Sequence, residues 1–129
     1  MSVYSAITVF LGAGIGGVLR WFVSMTAARW FGYGFPWGTL IVNVSGSAVM
    51  GLLAGFFLSR TDAGHWQTAR LFMMTGVLGG YTTFSSFSLE AIALWEEGQM
   101  WAALGYSLGS VVLAFAGLVI GLIVMRSWA

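Results

Sequence analysis

Residues 75–88 read TGVLGGYTTFSSFS, and this stretch decides how the chain folds. Nine of its fourteen residues are glycine, serine or threonine, although it lies entirely within the uncharged run 71–89. Each glycine weakens a helix by about 1 kcal/mol relative to alanine, and hydroxyl side chains compete for backbone hydrogen bonds. The sequence therefore predicts a helix that is broken at its centre. The alternative is a helix that is only kinked and is repaired by Ser and Thr side chains.

The composition around this stretch is typical of a membrane protein. The 129 residues are 59% hydrophobic and 7% charged, with five arginines, no lysine and four acidic residues. A soluble domain is about one quarter charged, so these few charges could not keep its surface hydrated. Roughly 20 helical residues cross a bilayer. We predict a single all-α transmembrane domain over residues 1–129, with four helices at about 3–29, 37–58, 67–96 and 100–126.

The short connections and the missing residue types exclude several classes of function. Gly32 to Pro36, the polar residues Ser59 to His65, and Glu96 to Gly98 are predicted loops, with Gly98 as a helix cap. The chain has no cysteine and one histidine, which argues against thiol chemistry and two-histidine metal sites. Its net charge of +1 and scattered arginines do not suit nucleic-acid binding. We therefore expect no enzyme and no nucleic-acid partner.

The arginines give almost no preference for one orientation in the membrane. Four crossings place both termini on one side, with Arg60, Arg70 and Arg126, and leave Arg20 and Arg29 on the other. A ratio of three to two is a weak signal for the positive-inside rule. The chain could therefore insert both ways and form an antiparallel, dual-topology homodimer. The alternative is a fixed topology with weak signals.

Glycine is abundant, with 19 residues, and often recurs at four-residue spacing. Such small-xxx-small pairs let helices approach closely in lipid. The pairs are Gly12 with Gly16, Gly51 with Gly55, Gly105 with Gly109, and Gly117 with Gly121. Gly12, Gly14 and Gly17 also match a dinucleotide-binding pattern, but no acidic residue follows at the required distance, so nucleotide binding is not expected.

Polar residues on the second helix form a candidate functional face. Thr39, Asn43 and Ser47 recur every four residues and therefore share one side of the helix. The Asn43 amide carries two N–H donors, which could bind an anion or a neighbouring helix. Both interpretations remain open from the sequence alone.

After the predicted break, Phe84 and Phe87 share one helix face, and Ser85 and Ser88 form another. A phenyl ring has a positive edge that can meet an anion. Packing or lipid contact is the alternative role for these rings.

These residues carry a family resemblance. The string GGYTTFSSFS at 79–88 with Glu90, together with LRW at 19–21 and WGTLIVN at 37–43, resembles the Fluc (CrcB) fluoride channel family. The resemblance covers the whole chain. It implies a fluoride-selective passive channel in the inner (plasma) membrane, built as an antiparallel homodimer with two pores and a structural sodium ion at its centre.

The resemblance also assigns candidate residues. It implies a fluoride pore formed by Asn43, Phe84, Phe87, Thr83, Ser85, Tyr106 and Ser110. It assigns the sodium contacts to the backbone carbonyls of Gly79 and Thr82. Arg20, Thr39 and Glu90 are candidates for a vestibule or supporting role. For Arg20 we favour snorkelling to the interface, and for Glu90 a structural role over protonation beside the anion path.

The alternative function is a small multidrug-resistance-type, proton-coupled exporter. Those proteins are also short, four-helix and antiparallel, but they need an acidic residue in the first helix. Residues 1–19 have none. The expected partners are thus fluoride, sodium, membrane lipid and a second copy of the chain.

Overall fold

A computed structural model describes residues 2–60 and 63–128, and this part of the chain is helical with short connections. The elements, in chain order, are α1 (Val3–Phe31), α2 (Trp37–Leu58), α3 (Ala63–Arg70), a π-helical segment (Leu71–Leu78), α4 (Gly79–Tyr81), α5 (Phe84–Glu96) and α6 (Met100–Trp128). The predicted all-α fold is confirmed for the described residues.

The third helix begins earlier than its hydropathy indicates. We predicted a loop over Ser59–His65 and a helix from about residue 67, but α3 begins at Ala63. Within that predicted loop, Thr61 and Asp62 lie outside the described residues. The first turns of α3 are polar, and a helix need not end where the apolar run ends. Hydropathy marks the membrane boundary and not the helix terminus.

Within the described part of the chain, three helices are long and apolar enough to cross a membrane: α1, α2 and α6, with 29, 22 and 29 residues. Only 17%, 22% and 11% of their most apolar windows are buried inside the chain. Large apolar surfaces therefore face outward along all three. Such surfaces are stable only against lipid or another protein.

Glycines on α1, α2 and α6 allow close backbone packing. Gly12 and Gly16 of α1 lie against the backbone of the π-helical segment, and Gly51 of α2 lies against the Leu118 carbonyl of α6. Gly121 of α6 packs in return against Ala48. The predicted role of these glycines in packing is confirmed. The pair Gly105 and Gly109 differs, because no heavy atom of the described chain lies within 4 Å of a Cβ built there.

Replacing Gly16 by alanine is expected to destabilise the fold. A Cβ at Gly16 would overlap the Val77 carbonyl oxygen and lie 2.7 Å from the Tyr81 nitrogen. Overpacking of this kind costs about 1–3 kcal/mol. Gly14→Ala is the matched control, since its Cβ would meet nothing within 4 Å. Thermal unfolding in detergent should show a lower midpoint for Gly16→Ala only; equal midpoints for both variants would contradict the packing.

The third helix is interrupted by two extended residues. Thr82 has φ −79° and ψ 157°, and Thr83 has φ −151° and ψ 121°, between the end of α4 and the start of α5. The predicted break is confirmed, and the alternative of a continuous kinked helix is wrong. The π-helical segment before it was not predicted. Such segments are rare and often lie near functional sites.

Candidate functional site

Asn43 of α2 pairs with the backbone of the broken helix. Its Nδ2 donates to the Thr83 carbonyl over 2.9 Å, and its Oδ1 accepts from the Thr83 N–H over 2.8 Å. The side-chain amide thus binds Thr83 as a neighbouring β-strand would. Asn43 therefore binds a neighbouring helical segment, which is one of the two interpretations that the sequence left open. It uses one of the two Nδ2 protons and leaves the second for another acceptor.

A cavity of about 360 Å³ opens beside this pair. We call it the Phe cavity; the lining residues that matter here are Asn43, Thr83, Phe84, Phe87 and Ser110. The Phe84 and Phe87 rings are 5.5 Å apart between centroids, with their planes tilted by 51°. The structure therefore brings five of the seven predicted pore residues together around one space.

Ser110 contributes an uncommitted hydroxyl to the Phe cavity. The residue is 5% exposed, and its Oγ has no hydrogen-bond partner among the described residues. A buried hydroxyl is normally satisfied, because leaving it unpaired costs about 1–3 kcal/mol. Ser110 lines the Phe cavity, so a ligand in that cavity is a candidate partner for this hydroxyl. Asn43 lines the same cavity, and both side chains carry hydrogen-bond donors.

The Thr83 hydroxyl caps the N-terminus of α5 and lies within hydrogen-bond distance of the hydroxyls of Ser85 and Ser86. Its Oγ1 accepts from the Ser86 N–H over 3.2 Å, as a helix N-cap does. The same oxygen lies 3.2 Å from the Ser86 Oγ and 3.3 Å from the Ser85 Oγ. Ser85, a predicted pore residue, is exposed and reaches this network through Thr83. Ser86 was missed, although its place three residues after the cap could have marked it.

Tyr106 lies behind the Phe cavity and not on its wall. It is 1% exposed, and its ring centroid is 5.3 Å from that of Phe87. Its hydroxyl donates to the Glu90 Oε2 over 2.7 Å. Tyr106 was predicted to line the pore, but burial between α5 and α6 leaves it in contact with the cavity only through Phe87.

Glu90 connects three helices through its carboxylate. The Thr39 hydroxyl of α2 donates to Oε1 over 2.9 Å, while Tyr106 of α6 binds the other oxygen. Two hydrogen bonds, one to each oxygen, hold the Glu90 side chain in place. This geometry supports the structural role that the sequence favoured for Glu90.

A second cavity, of about 600 Å³, lies on the other side of Thr83. We call it the Arg20 cavity; its polar wall includes Arg20, Thr39, Thr83, Ser86 and Glu90. All three residues predicted for a vestibule or supporting role thus share one cavity. Arg20 is half-buried there. Thr83 lines both cavities, so each of them borders the helix break.

The carbonyl oxygens of Gly79 and Thr82 have lost their usual helical donors. In a continuous α-helix, Gly79 would accept from the Thr83 N–H, but that N–H donates to Asn43. Thr82 would accept from the Ser86 N–H, which donates to the Thr83 Oγ1. Hard oxygens without these donors suit a hard cation. Among residues 2–60 and 63–128, no group of three His, Cys, Asp or Glu side chains offers another site.

Comparisons with known proteins show the family of this chain. The family described as "CrcB-like protein, Camphor Resistance (CrcB)" matches residues 7–122. A relative from Nitrobacter hamburgensis, named "Fluoride-specific ion channel FluC 2", is 54% identical over 118 residues, covering 92% of this chain and 94% of the relative. Two proteins named "Fluoride-specific ion channel FluC" are 52% identical (Rhodopseudomonas palustris) and 51% identical (a Methylobacterium species).

Those two alignments cover 92% and 95% of this chain, and 94% and 96% of the relatives. The family match over residues 7–122 covers the segments 37–43 and 79–88. The resemblance to the Fluc (CrcB) family is confirmed, and this chain belongs to the CrcB-like family.

Proposed function

We propose that the chain is a fluoride-selective passive channel that exports fluoride across the inner membrane. The relatives carry the name of fluoride-specific ion channels. The observation that carries the proposal is the unpartnered Ser110 hydroxyl beside Asn43 in the Phe cavity. An anion bound there would accept the buried proton that nothing in the described chain accepts.

The Phe cavity also fits the physical requirements of fluoride. Fluoride is small and strongly hydrated, so a pathway must replace its water with hydrogen-bond donors and positive ring edges. Ser110 and Asn43 supply donors, and Phe84 and Phe87 supply rings. Of the described residues that line this cavity, none is charged. An uncharged wall binds the anion without holding it too tightly for release.

Liposome efflux tests the proposed function. Purified protein is reconstituted in potassium-loaded liposomes, and valinomycin is added so that potassium balances the charge. Ion-selective electrodes then compare fluoride with chloride. We expect rapid fluoride efflux without a proton gradient and almost no chloride efflux.

Two outcomes would contradict the proposal. Equal efflux of the two anions would exclude fluoride selectivity. Transport that requires a proton gradient would favour the alternative, a small multidrug-resistance-type exporter. Empty liposomes and liposomes with heat-denatured protein control for leakage.

We propose further that the working unit is an antiparallel homodimer with two pores. α3 to α5 provide the fourth crossing, and four crossings leave both termini on one side. Phe84 is 77% exposed, so the Phe cavity of a single chain is open on one side. A second copy would cover that ring and complete one cavity in each subunit. An isologous contact of this kind is the commonest arrangement in oligomers.

Dual topology makes a direct prediction. Because the arginine balance is three to two, reporters fused to the C-terminus should be detected on both sides of the membrane. Adding two or three lysines after Met125 should drive the population to one orientation and reduce fluoride efflux. Active wild-type protein in a single orientation would contradict the antiparallel dimer.

A structural sodium ion at the dimer centre completes the proposal. The carbonyls of Gly79 and Thr82 would hold it, and two antiparallel copies would supply four such oxygens. Gly79 is exposed on the single chain, where a partner could reach it. Bound there, sodium would supply a fixed positive charge that holds the two broken helices together.

A further inference from the structure

The helix break is held from outside the helix, by one side chain of α2. Asn43 binds both the N–H and the carbonyl of Thr83, over 2.8 and 2.9 Å. Thr83 is 8% exposed, so its backbone groups have little access to water. Without Asn43, the buried Thr83 N–H would need another acceptor. The nearest one along the chain is the carbonyl of Gly79, which would restore an α-helical bond.

Local sequence alone does not require the extended conformation of Thr83. The Thr82 N–H and Oγ1 both donate to the Leu78 carbonyl, so helical bonding continues up to Thr82. Thr82 and Thr83 are ordinary β-branched residues with φ below zero. The first backbone N–H that leaves the helical pattern is the one that Asn43 accepts.

We propose that Asn43 is a positioning residue of the helix break, which holds Thr83 extended and so releases the Gly79 carbonyl. This role differs from donation to an anion, because it uses Oδ1 and the first Nδ2 proton. It means that one side chain shapes both the Phe cavity and the carbonyl face of the break. The released Gly79 carbonyl is one of the proposed sodium ligands, and only this link between Asn43 and sodium rests on the function proposed above.

Two features of the sequence make the contact measurable. Asn43 is the only asparagine, and Thr82–Thr83 is the only pair of consecutive threonines. Protein labelled with ¹³C,¹⁵N-threonine therefore gives a single signal that joins the Thr82 carbonyl carbon to the Thr83 amide. Protein labelled with ¹³Cγ-asparagine and ¹⁵N-threonine reports the distance from Asn43 to that amide by dipolar recoupling.

The first measurement uses the wild-type chain in lipid bilayers. We expect strong dipolar coupling between the Asn43 Cγ and the Thr83 nitrogen, and Thr83 Cα and Cβ shifts typical of extended backbone. Absence of the coupling would overturn the proposal. Because this measurement uses the wild-type chain, it does not depend on the folding of any variant.

The second measurement uses Asn43→Leu, which has a similar volume but no hydrogen-bonding group. We expect the Thr83 Cα and Cβ shifts to move toward helical values, because its amide would then bond to the Gly79 carbonyl. Asn43→Ala repeats the test without added apolar bulk if the leucine variant aggregates. Thr8→Val is the control for replacing a polar side chain: its hydroxyl donates to the Tyr4 carbonyl of its own helix and lines neither cavity, so the Thr83 signal should stay unchanged.

Extended Thr83 shifts in both Asn43→Leu and Asn43→Ala would overturn the positioning role. A sodium titration tests the connection to the cation: the Thr82 carbonyl shift should respond in the wild type and lose that response without Asn43. A response that persists without Asn43 would refute the connection. Because these signals are read without fluoride, failed efflux would reject the proposed function and leave this result intact.

Discussion

Fluoride efflux should fall by about tenfold to a hundredfold when Ser110 is replaced by alanine. The Ser110 hydroxyl is buried in the Phe cavity without a protein partner, so an anion there would receive its proton. A lost hydrogen bond to a charge costs about 1.5–3 kcal/mol, which gives that range if the loss falls on the transport barrier. Initial efflux rates from liposomes with equal protein content measure the effect.

Ser88→Ala is the matched control for this prediction. The Ser88 hydroxyl donates to the Phe84 carbonyl of its own helix over 2.9 Å and lines neither of the cavities described above. Its removal should leave efflux unchanged. Wild-type efflux from Ser110→Ala would mean that the anion does not pass the Ser110 side of the Phe cavity.

Phe87→Ile and Phe84→Ile should each reduce fluoride efflux strongly while the dimer stays folded. Isoleucine keeps an apolar side chain but removes the positive ring edge. Ring-edge contacts contribute about 0.5–1.5 kcal/mol beyond buried area, so a loss of about twofold to tenfold follows if one ring meets the anion at the barrier. Efflux rates and gel-filtration profiles of the same preparations give the two readouts.

The two readouts separate an anion contact from packing. Phe87 packs against Tyr106, so a purely packing role predicts that dimer and efflux are lost together. Phe84 is largely exposed in the single chain and is the cleaner test. Phe10→Ile, on the exposed face of α1, is the control for replacing a ring. Normal dimers with wild-type efflux from both cavity variants would place the pore on another face.

Much of this architecture follows from residue order. The uncharged runs predict the long helices, because a bilayer needs about 20 apolar residues for each crossing. The glycine and hydroxyl residues at 79–88 predict the break, because they weaken a helix where lipid offers no replacement bonds. Both features depend on neighbours in sequence. They are therefore visible without coordinates.

Other features depend on contacts between distant segments. The sequence left open whether Asn43 binds an anion or another helix. The structure shows that the Asn43 side chain forms two hydrogen bonds with the backbone of Thr83, forty residues away. Tyr106, a predicted pore residue, packs against Phe87 and Glu90 and does not line the Phe cavity. The sequence also does not show that the Ser110 hydroxyl lacks a hydrogen-bond partner among the described residues, because this depends on which atoms lie nearby in the fold.

The sequence by itself determined that this chain is a helical membrane protein and where its third helix breaks. These properties come from hydropathy and backbone propensity, which act over a few consecutive residues. Only the tertiary structure decided which polar groups are satisfied and which remain free to bind. That outcome depends on hydrogen-bond geometry between helices, where a shift of about 1 Å makes or removes a bond.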